Sequence, residues 1–264
     1  MGTRMNMIEV HGVSFHYPGQ EVLRQITFNV PAGRFLAVAG PNGSGKTTLV
    51  RLLGGLLKPS AGRIVIDGAA MGSYNARTLA QKIAVVRQDM IPSFAYTVYE
   101  TVMMGRTCHF GPLGFETEQD RQLVLAAMRE TEVEAFGSRR LTQISGGERQ
   151  RVYLARALAQ DTPIMLLDEP TSFLDLRHRV RFFDLLRRLQ SAQGKTIVAI
   201  THDLNLAAQY CDEMLLLGGP GRSEHGPVGE VFRAERIEAC FGVKVIQGRL
   251  GGVDVVLPVG TKPS

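Results

Sequence analysis

Residues 35–53 read FLAVAGPNGSGKTTLVRLL, and this stretch decides the fold. Phe35–Ala39 is a continuous apolar run, as expected of a strand buried on both faces. A glycine-rich loop follows, and the pattern then becomes helical from Thr47 to Leu53. The loop matches the phosphate-binding motif G-x-x-x-x-G-K-S/T in full, in its strand-to-helix context. The candidate nucleotide-binding residues of the loop and the helix start are Gly40, Pro41, Asn42, Gly43, Ser44, Gly45, Lys46, Thr47 and Thr48.

The chemistry of this loop suits a nucleoside triphosphate. Its glycines let backbone N–H groups turn inward around phosphate oxygens, and the helix that follows points its N-terminus at the same anion. We expect Lys46 to reach the β- and γ-phosphates and the Thr47 hydroxyl to bind Mg²⁺. The alternative interpretation is an ordinary glycine-rich turn with a surface lysine. The buried strand before the loop and the helix after it favour the phosphate site.

Two acids follow a second buried strand. Ile164–Leu167 is apolar, and Asp168 and Glu169 come directly after it. Strand ends in parallel sheets face the ligand crevice, so Asp168 is a candidate magnesium ligand through its water shell. Glu169 points differently and is a candidate for orienting the attacking water. Solvated acids at a strand exit are the alternative, and the phosphate loop makes that alternative the weaker one.

Polar residues also follow two further strand candidates. His202 follows Thr196–Ile200, and Gln88 follows Ile83–Val86. His202 is a candidate donor to a γ-phosphate. A lone His or Gln at such a position is more often structural, so each gains its functional interpretation from the neighbouring phosphate loop.

The rest of the chain predicts an α/β core with a helical insertion. Met7–Phe15 and Glu21–Val30 are strand-like and are joined by a turn at residues 17–19. The pattern is helical from Met90 to about Gln160, with helices predicted at 116–132, 148–159 and, beyond the insertion, 173–190. We therefore expect one domain, with a β subdomain and core at about 7–89 and 161–264 and a helical subdomain at about 90–160. Residues 242–259 predict short strands with a turn at Gly251-Gly252.

Composition excludes several classes of protein. The 264 residues include 30 Lys+Arg and 25 Asp+Glu, and this mild positive charge argues for neither nucleic acid nor membrane as a partner. The longest apolar run has six residues, 123–128, whereas a membrane span needs about twenty. No apolar signal core precedes the first strand. The three cysteines form no recognisable disulfide or metal pattern, which suits a reducing compartment, and the adjacent pair Cys108 and His109 makes a poor metal site.

A second glycine-containing stretch is the most diagnostic. Residues 141–151 read LTQISGGERQR and lie before the strand that carries the two acids. Ser145 is a good N-cap, and Gly146 and Gly147 leave backbone N–H groups bare at the start of a helix, which predicts a second anion site without a lysine. A lone Ser-Gly-Gly would be weak evidence, because most such tripeptides are turns.

Taken together, these motifs resemble an ABC-transporter nucleotide-binding subunit over nearly the whole chain. The phosphate loop, the glutamine loop at Gln88, the signature at Ser145–Glu148 and the acids Asp168 and Glu169 arrive in the family's order. Residues 172–175 resemble the D-loop, His202 the switch histidine, and Tyr17 an aromatic that stacks on adenine. Two residues depart from the family's usual pattern: Glu148 replaces Gln, and Phe173 stands where Ala is commoner.

The resemblance implies a P-loop NTPase (RecA-like) core, an N-terminal antiparallel β subdomain and an α-helical ABC-specific insertion. It implies a head-to-tail homodimer, in which ATP on Lys46 of one subunit is capped by Ser145, Gly146, Gly147 and Glu148 of the other. Lys46, Mg²⁺ and His202 would stabilise charge on the phosphoryl group, with Glu169 polarising water. Gln88 would sense the γ-phosphate and contribute to the metal site.

Three segments resemble the iron-chelate, haem and vitamin B12 importer group within that family: Thr97–Arg106, the run after His202 at 203–208, and the tail around 229–232 and 241–243. This resemblance implies a peripheral subunit on the cytoplasmic face of the bacterial inner membrane. It would energise uptake of a siderophore, haem or cobalamin through a separate permease, served indirectly by a periplasmic binding protein. A soluble ABC ATPase of iron–sulfur assembly remains the alternative. A nucleic-acid factor would usually carry two cassettes or a long coiled coil, and neither is visible.

Overall fold

The computed structural model describes residues 5–87, 95–172 and 174–260. The strands are β1 (Asn6–Tyr17), β2 (Gln20–Pro31), β3 (Phe35–Ala39), β4 (Ala61–Ile66), β5 (Ala69–Ala70), β6 (Ile83–Val86), β7 (Ile164–Leu167), β8 (Thr196–Ile200), β9 (Glu213–Gly219), β10 (Arg222–Pro227), β11 (Val245–Leu250) and β12 (Val253–Pro258). The helices are α1 (Lys46–Leu53), α2 (Ala76–Ala80), α3 (Val98–Met103), α4 (Glu118–Glu130), α5 (Gly146–Ala159), α6 (Leu176–Gln193), α7 (Leu204–Tyr210), α8 (Val228–Val231) and α9 (Ala234–Phe241).

A six-stranded central sheet carries the phosphate loop. Its strand order is β10-β9-β3-β8-β7-β6, and every pairing is parallel except that of β10 with β9. All residues of β3, β7 and β8 are buried, which agrees with their apolar sequences, in which Thr196 at the start of β8 is the one polar residue. Because these strands are parallel, their carboxyl ends meet at one edge of the sheet, and the candidate side chains follow at that edge.

The two faces of β3 belong to two hydrophobic cores. Leu36 and Val38 pack in a core that the N-terminal antiparallel sheet, of order β2-β1-β4-β5, shares with α1. Phe35, Ala37 and Ala39 face the opposite core, to which α3, α4, α5 and α6 contribute buried side chains. The predicted α/β class, with an antiparallel β unit beside a parallel core, is confirmed.

The chain from residue 95 to residue 160 is mainly helical, with one isolated β-bridge between Thr97 and Arg140 among the described residues. It contains α3, α4, α5 and three short 3₁₀ turns at 104–106, 134–136 and 141–143. A buried ion pair ties this region together: Arg106 Nε lies 2.8 Å from Asp120 Oδ1, and Arg106 Nη1 donates to the Ala159 carbonyl at 2.8 Å. The subdomain boundaries near residues 90 and 160 stay a prediction.

The predicted helix limits need correction. α5 begins at Gly146, two residues before the predicted start, and α6 spans Leu176–Gln193 instead of 173–190. Both helices begin directly after a capping side chain, Ser145 for α5 and Asp175 for α6, each of which accepts a backbone N–H of the first turn. α4 is shorter than predicted at both ends. It begins directly after its N-cap Thr117 and ends at Glu130.

The predicted C-terminal strands form the separate hairpin β11–β12, turned at Gly251-Gly252. Asn205 of α7 holds it through the backbone N–H and carbonyl of Val256, at 2.9 and 3.1 Å. The three cysteines are unpaired. Across residues 5–87, 95–172 and 174–260, no helix is both long and apolar enough to cross a bilayer.

Candidate functional site

The phosphate loop is shaped by two glycines that leave no room for a side chain. A Cβ on Gly40 would lie 2.1 Å from the carbonyl oxygen of Leu217 on β9. Gly45 has a φ of +97°, and a Cβ there would lie 2.7 Å from Leu23 of the N-terminal sheet. The loop is therefore packed between the two sheets, and its backbone supplies the surface that faces a ligand.

The start of α1 is suited to an anion. Gly45 is its N-cap and offers no side-chain bond, and the first turn contains no acidic residue. The Ser44 hydroxyl is buried and has no hydrogen-bond partner among the described residues. A buried hydroxyl without a partner is costly, and a bound phosphate oxygen would satisfy it. These features fit the predicted triphosphate.

Lys46 supplies the positive charge of the loop. Its side chain is buried, and Nζ donates to the carbonyl oxygens of Gly40 and Pro41, each at 2.9 Å. Burial lowers the pKa of Lys46, while the nearby carboxylates of Glu169 and Asp168 act against that shift. The ammonium group is thus held at the carboxyl edge of the sheet, with acids from a neighbouring strand end close to it.

Thr47 and Asp168 form the predicted metal pair. Thr47 Oγ1 donates to Asp168 Oδ1 at 3.1 Å, which brings together residues that are 121 positions apart in the chain. Asp168 is buried, and this burial raises the pKa of its carboxyl group, although the hydrogen bond from Thr47 opposes the rise. A hydroxyl beside a carboxylate is an all-oxygen donor set of the kind that Mg²⁺ prefers, so these residues fit a magnesium ion.

Glu169 and His202 meet at the ends of β7 and β8. His202 Nε2 lies 2.7 Å from Glu169 Oε1, and the Glu169 side chain is 15% exposed. The backbone of Glu169 has a φ of +48°, a left-handed conformation that is uncommon outside glycine. Ser172, which the sequence interpretation did not single out for a catalytic role, also reaches this carboxylate, with Oγ 3.1 Å from Oε2.

One cleft of about 270 Å³ collects Tyr17 and most of the predicted residues of the phosphate loop and helix start. Tyr17 lies at its rim, at the end of β1, and packs edge-on against Phe15 with ring centroids 4.9 Å apart. Gln20 and Val22 of β2 also line it and were not predicted; their position just after the turn that follows Tyr17 is the available signal. The remaining lining residues are Asn42, Gly43, Gly45, Lys46, Thr47, Thr48 and Glu169.

The signature residues lie elsewhere on the chain. Ser145 Oγ accepts the backbone N–H of Glu148 at 3.2 Å, and Glu148 Oε2 accepts the backbone N–H of Ser145 at 2.7 Å, which completes a capping box. That backbone hydrogen bond is the main cause of the lowered pKa of Glu148. Among the described residues, none of the signature lines the cleft that contains Lys46. Ser145 and Gly146 are exposed.

Two predicted residues fall outside the described ranges. Gln88, predicted for the γ-phosphate and the metal, and Phe173 of the D-loop both lie in the gaps at 88–94 and 173.

Comparisons with known proteins identify the family. The family model described as ABC transporter matches residues 23–172. The chain is 39% identical to the cobalamin import ATP-binding protein BtuD of Halobacterium salinarum over 91% of this chain, but it spans only 60% of that relative. It is 35% identical to the ferric enterobactin transport ATP-binding protein FepC of Escherichia coli, over 94% of this chain and 93% of that relative.

Solved structures give the same result. A chain described as belonging to a metal-chelate type ABC transporter, in an inward-facing conformation, matches with a TM-score of 0.85 and 30% identity over 97% of this chain and 98% of that one. The dimeric ABC transporter cassette MJ0796 matches with a TM-score of 0.72 and 32% identity over 83% of this chain and 98% of that one. The family predicted from the motifs is thereby confirmed: the chain belongs to the ABC transporter family.

Proposed function

We propose that this chain is the ATP-hydrolysing subunit of a multi-subunit ABC importer. It energises uptake of an iron-chelate-type substrate (a siderophore, haem or cobalamin) through a separate permease. The observation that carries the proposal is the convergence of Lys46, the Thr47–Asp168 pair and the Glu169–His202 pair at the carboxyl edge of one parallel sheet. The relatives named for cobalamin and ferric enterobactin import support the substrate class.

Each residue has a role that follows from its position. The backbone of the phosphate loop and Lys46 bind the β- and γ-phosphates of ATP, with Tyr17 stacking on the base. Thr47 and Asp168 would hold Mg²⁺, with Gln88 as the further ligand predicted from the sequence, and the ion would supply positive charge to the phosphate oxygens. Glu169 orients the water that attacks the γ-phosphorus, and His202 donates to the γ-phosphate once nucleotide is bound.

The open signature loop requires a second copy of the chain. Ser145, Gly146, Gly147 and Glu148 cap the nucleotide that is held on Lys46 of the partner subunit, which makes a head-to-tail dimer. Because the cap gains its hydrogen bonds only with a triphosphate present, ATP stabilises the closed dimer and hydrolysis releases it. The dimer sits on the cytoplasmic face of the bacterial inner membrane, against permease subunits that a periplasmic binding protein supplies with substrate.

Uptake by cells that lack this chain tests the importer proposal. We expect accumulation of one of three radiolabelled probes (ferric enterobactin, haem or cobalamin) to depend on the chain and to be lost with Lys46→Ala. The exposed Lys58→Ala variant serves as a matched control that keeps uptake. Unchanged uptake of all three probes, with loss of iron–sulfur enzyme activity instead, would replace the importer with the soluble assembly ATPase.

A further inference from the structure

Ser172 contacts Glu169 through both its backbone and its side chain. Its backbone N–H donates to the carbonyl oxygen of Glu169 at 3.3 Å. Its Oγ lies 3.2 Å from the same carbonyl oxygen and 3.1 Å from Oε2 of the Glu169 side chain. A serine hydroxyl carries one proton, so it donates to one of these oxygens at a time. Whichever of the two oxygens accepts the proton, the hydrogen bond restrains Glu169.

These contacts fall on a strained piece of backbone. The φ of +48° at Glu169 is unfavourable for a residue with a Cβ, and such conformations persist only where the surroundings hold them. The backbone N–H of Ser172 holds the carbonyl of Glu169 and thus the turn that follows β7. The direction in which the Glu169 side chain leaves the sheet depends on that turn.

The carboxylate is held at both oxygens. Nε2 of His202 lies 2.7 Å from Oε1 of Glu169, and Oγ of Ser172 lies 3.1 Å from Oε2. In the proposed function, His202 donates to the γ-phosphate during hydrolysis, and its contact with Oε1 is then given up. Oε1 becomes the oxygen that receives the attacking water, while Oε2 stays fixed by Ser172.

We infer that Ser172 is a positioning residue for hydrolysis, which aims the Glu169 carboxylate by holding Oε2 and the carbonyl oxygen of the same residue. The inference rests on the proposed function. Ser172 touches neither nucleotide nor water in this role, because it acts through Glu169. A misplacement of a reacting group by about 1 Å can cost a hundredfold in rate, so the loss of this restraint has a large effect on turnover.

Single-turnover ATP hydrolysis by three variants of the permease-bound chain tests the inference. Ser172→Ala should lower the hydrolysis rate about tenfold or more, with the KM for ATP and the melting temperature close to those of the wild type. Ser172→Thr should restore most of the rate, because its hydroxyl reaches the same oxygens. Ser73→Ala, which removes a comparable bond between a serine hydroxyl and the Ala70 carbonyl, should change nothing.

A double-mutant cycle shows whether Ser172 acts through Glu169. In a Glu169→Gln background, Ser172→Ala should cause no further loss of the residual rate. A wild-type rate for Ser172→Ala, an additive loss in the cycle, or a lost affinity for ATP would each overturn the inference. Normal hydrolysis by Glu169→Gln alone would instead overturn the proposed function, so the two failures are distinguishable.

Discussion

At the scale of single residues, the proposed phosphate chemistry rests on Lys46, the Thr47–Asp168 pair and the Glu169–His202 pair. The loop around Lys46, together with Thr47 and Asp168, is defined by a motif whose residue types are dictated by phosphate and metal binding, so it can be recognised without coordinates. The contact of Ser172 with Glu169 could not be predicted in the same way. It depends on the left-handed turn at Glu169, and nothing in the composition of residues 168–172 requires a non-glycine residue to adopt that conformation.

Removal of the Lys46 ammonium group should weaken nucleotide binding. In Lys46→Ala, the β- and γ-phosphates lose their closest positive charge, and we expect the affinity for ATP to fall by about tenfold or more. Equilibrium binding of a fluorescent ATP analogue measures the effect, with the exposed Lys58→Ala as the control. An unchanged dissociation constant for Lys46→Ala would contradict the assignment of the phosphate loop.

At the scale of elements, the sequence predicted β1, β2, β3, β6, β7, β8, the C-terminal hairpin and the long helices α4, α5 and α6, but it missed β4, β5, β9 and β10. β3 and β7 are continuous apolar runs and β8 is apolar after Thr196, and this signal is unambiguous beside a phosphate loop. β10 reads RSEHGP, which has neither alternation nor β-branched residues, and it forms only because β9 offers it an edge. The observed helix limits differ from the predicted ones because capping side chains such as Ser145 and Asp175 determine where a helix begins.

The N-terminus of α5 should depend on its capping box. Ser145→Ala removes the acceptor for the Glu148 backbone N–H, and we expect the free energy of unfolding to fall by about 1 kcal/mol. Glu148→Gln keeps an oxygen that can accept the Ser145 N–H, so its effect should be much smaller, which also explains why a Glu is tolerated where the family usually has Gln. Urea denaturation of both variants measures the difference. Equal losses for the two would contradict this account of the cap.

The buried pair of Arg106 and Asp120 makes the stability of the helical region depend on pH. Burial acts to raise the pKa of Asp120, but hydrogen bonds from Thr117 and Arg106 outweigh it and lower the pKa to about 2. Aspartate in an unfolded chain titrates near about 3.9. The folded carboxylate therefore stabilises the protein fully above about pH 4, and this contribution is lost as the pH falls from about 4 towards about 2.

Asp120→Asn should thus destabilise the protein in a pH-dependent way. Near neutral pH the variant leaves the buried charge of Arg106 without a carboxylate partner. We therefore expect the free energy of unfolding to fall by about 3 kcal/mol or more. The difference in free energy of unfolding between the variant and the wild type should narrow as the pH is lowered from about 7 to about 3. The wild-type carboxylate then begins to be protonated, and its stabilising contribution is lost. Urea unfolding across this range measures it, with the exposed Glu118→Gln as control. A difference that is independent of pH would contradict the role of the ion pair.

At the scale of the whole molecule, the central claim is that one nucleotide is enclosed by two copies of the chain. The cleft at Lys46 and the open loop at Ser145 are separate surfaces of one protomer, which the motif order alone could not reveal. The fold explains this separation, because the loop begins α5 in the helical region whereas the cleft lies between the two sheets. In the proposed function, a closed site therefore needs the loop of a partner.

Cross-linking tests this claim most directly. A chain that carries Asn42→Cys, Ser145→Cys and Glu169→Gln, bound to its permease, should form a covalent species of two chains with a short bis-maleimide only when ATP and Mg²⁺ are present. Chains with either cysteine substitution alone, and the double-cysteine chain without nucleotide, should stay single. Cross-links that close within one chain, or no cross-linked dimer while ATP is demonstrably bound, would contradict the shared site.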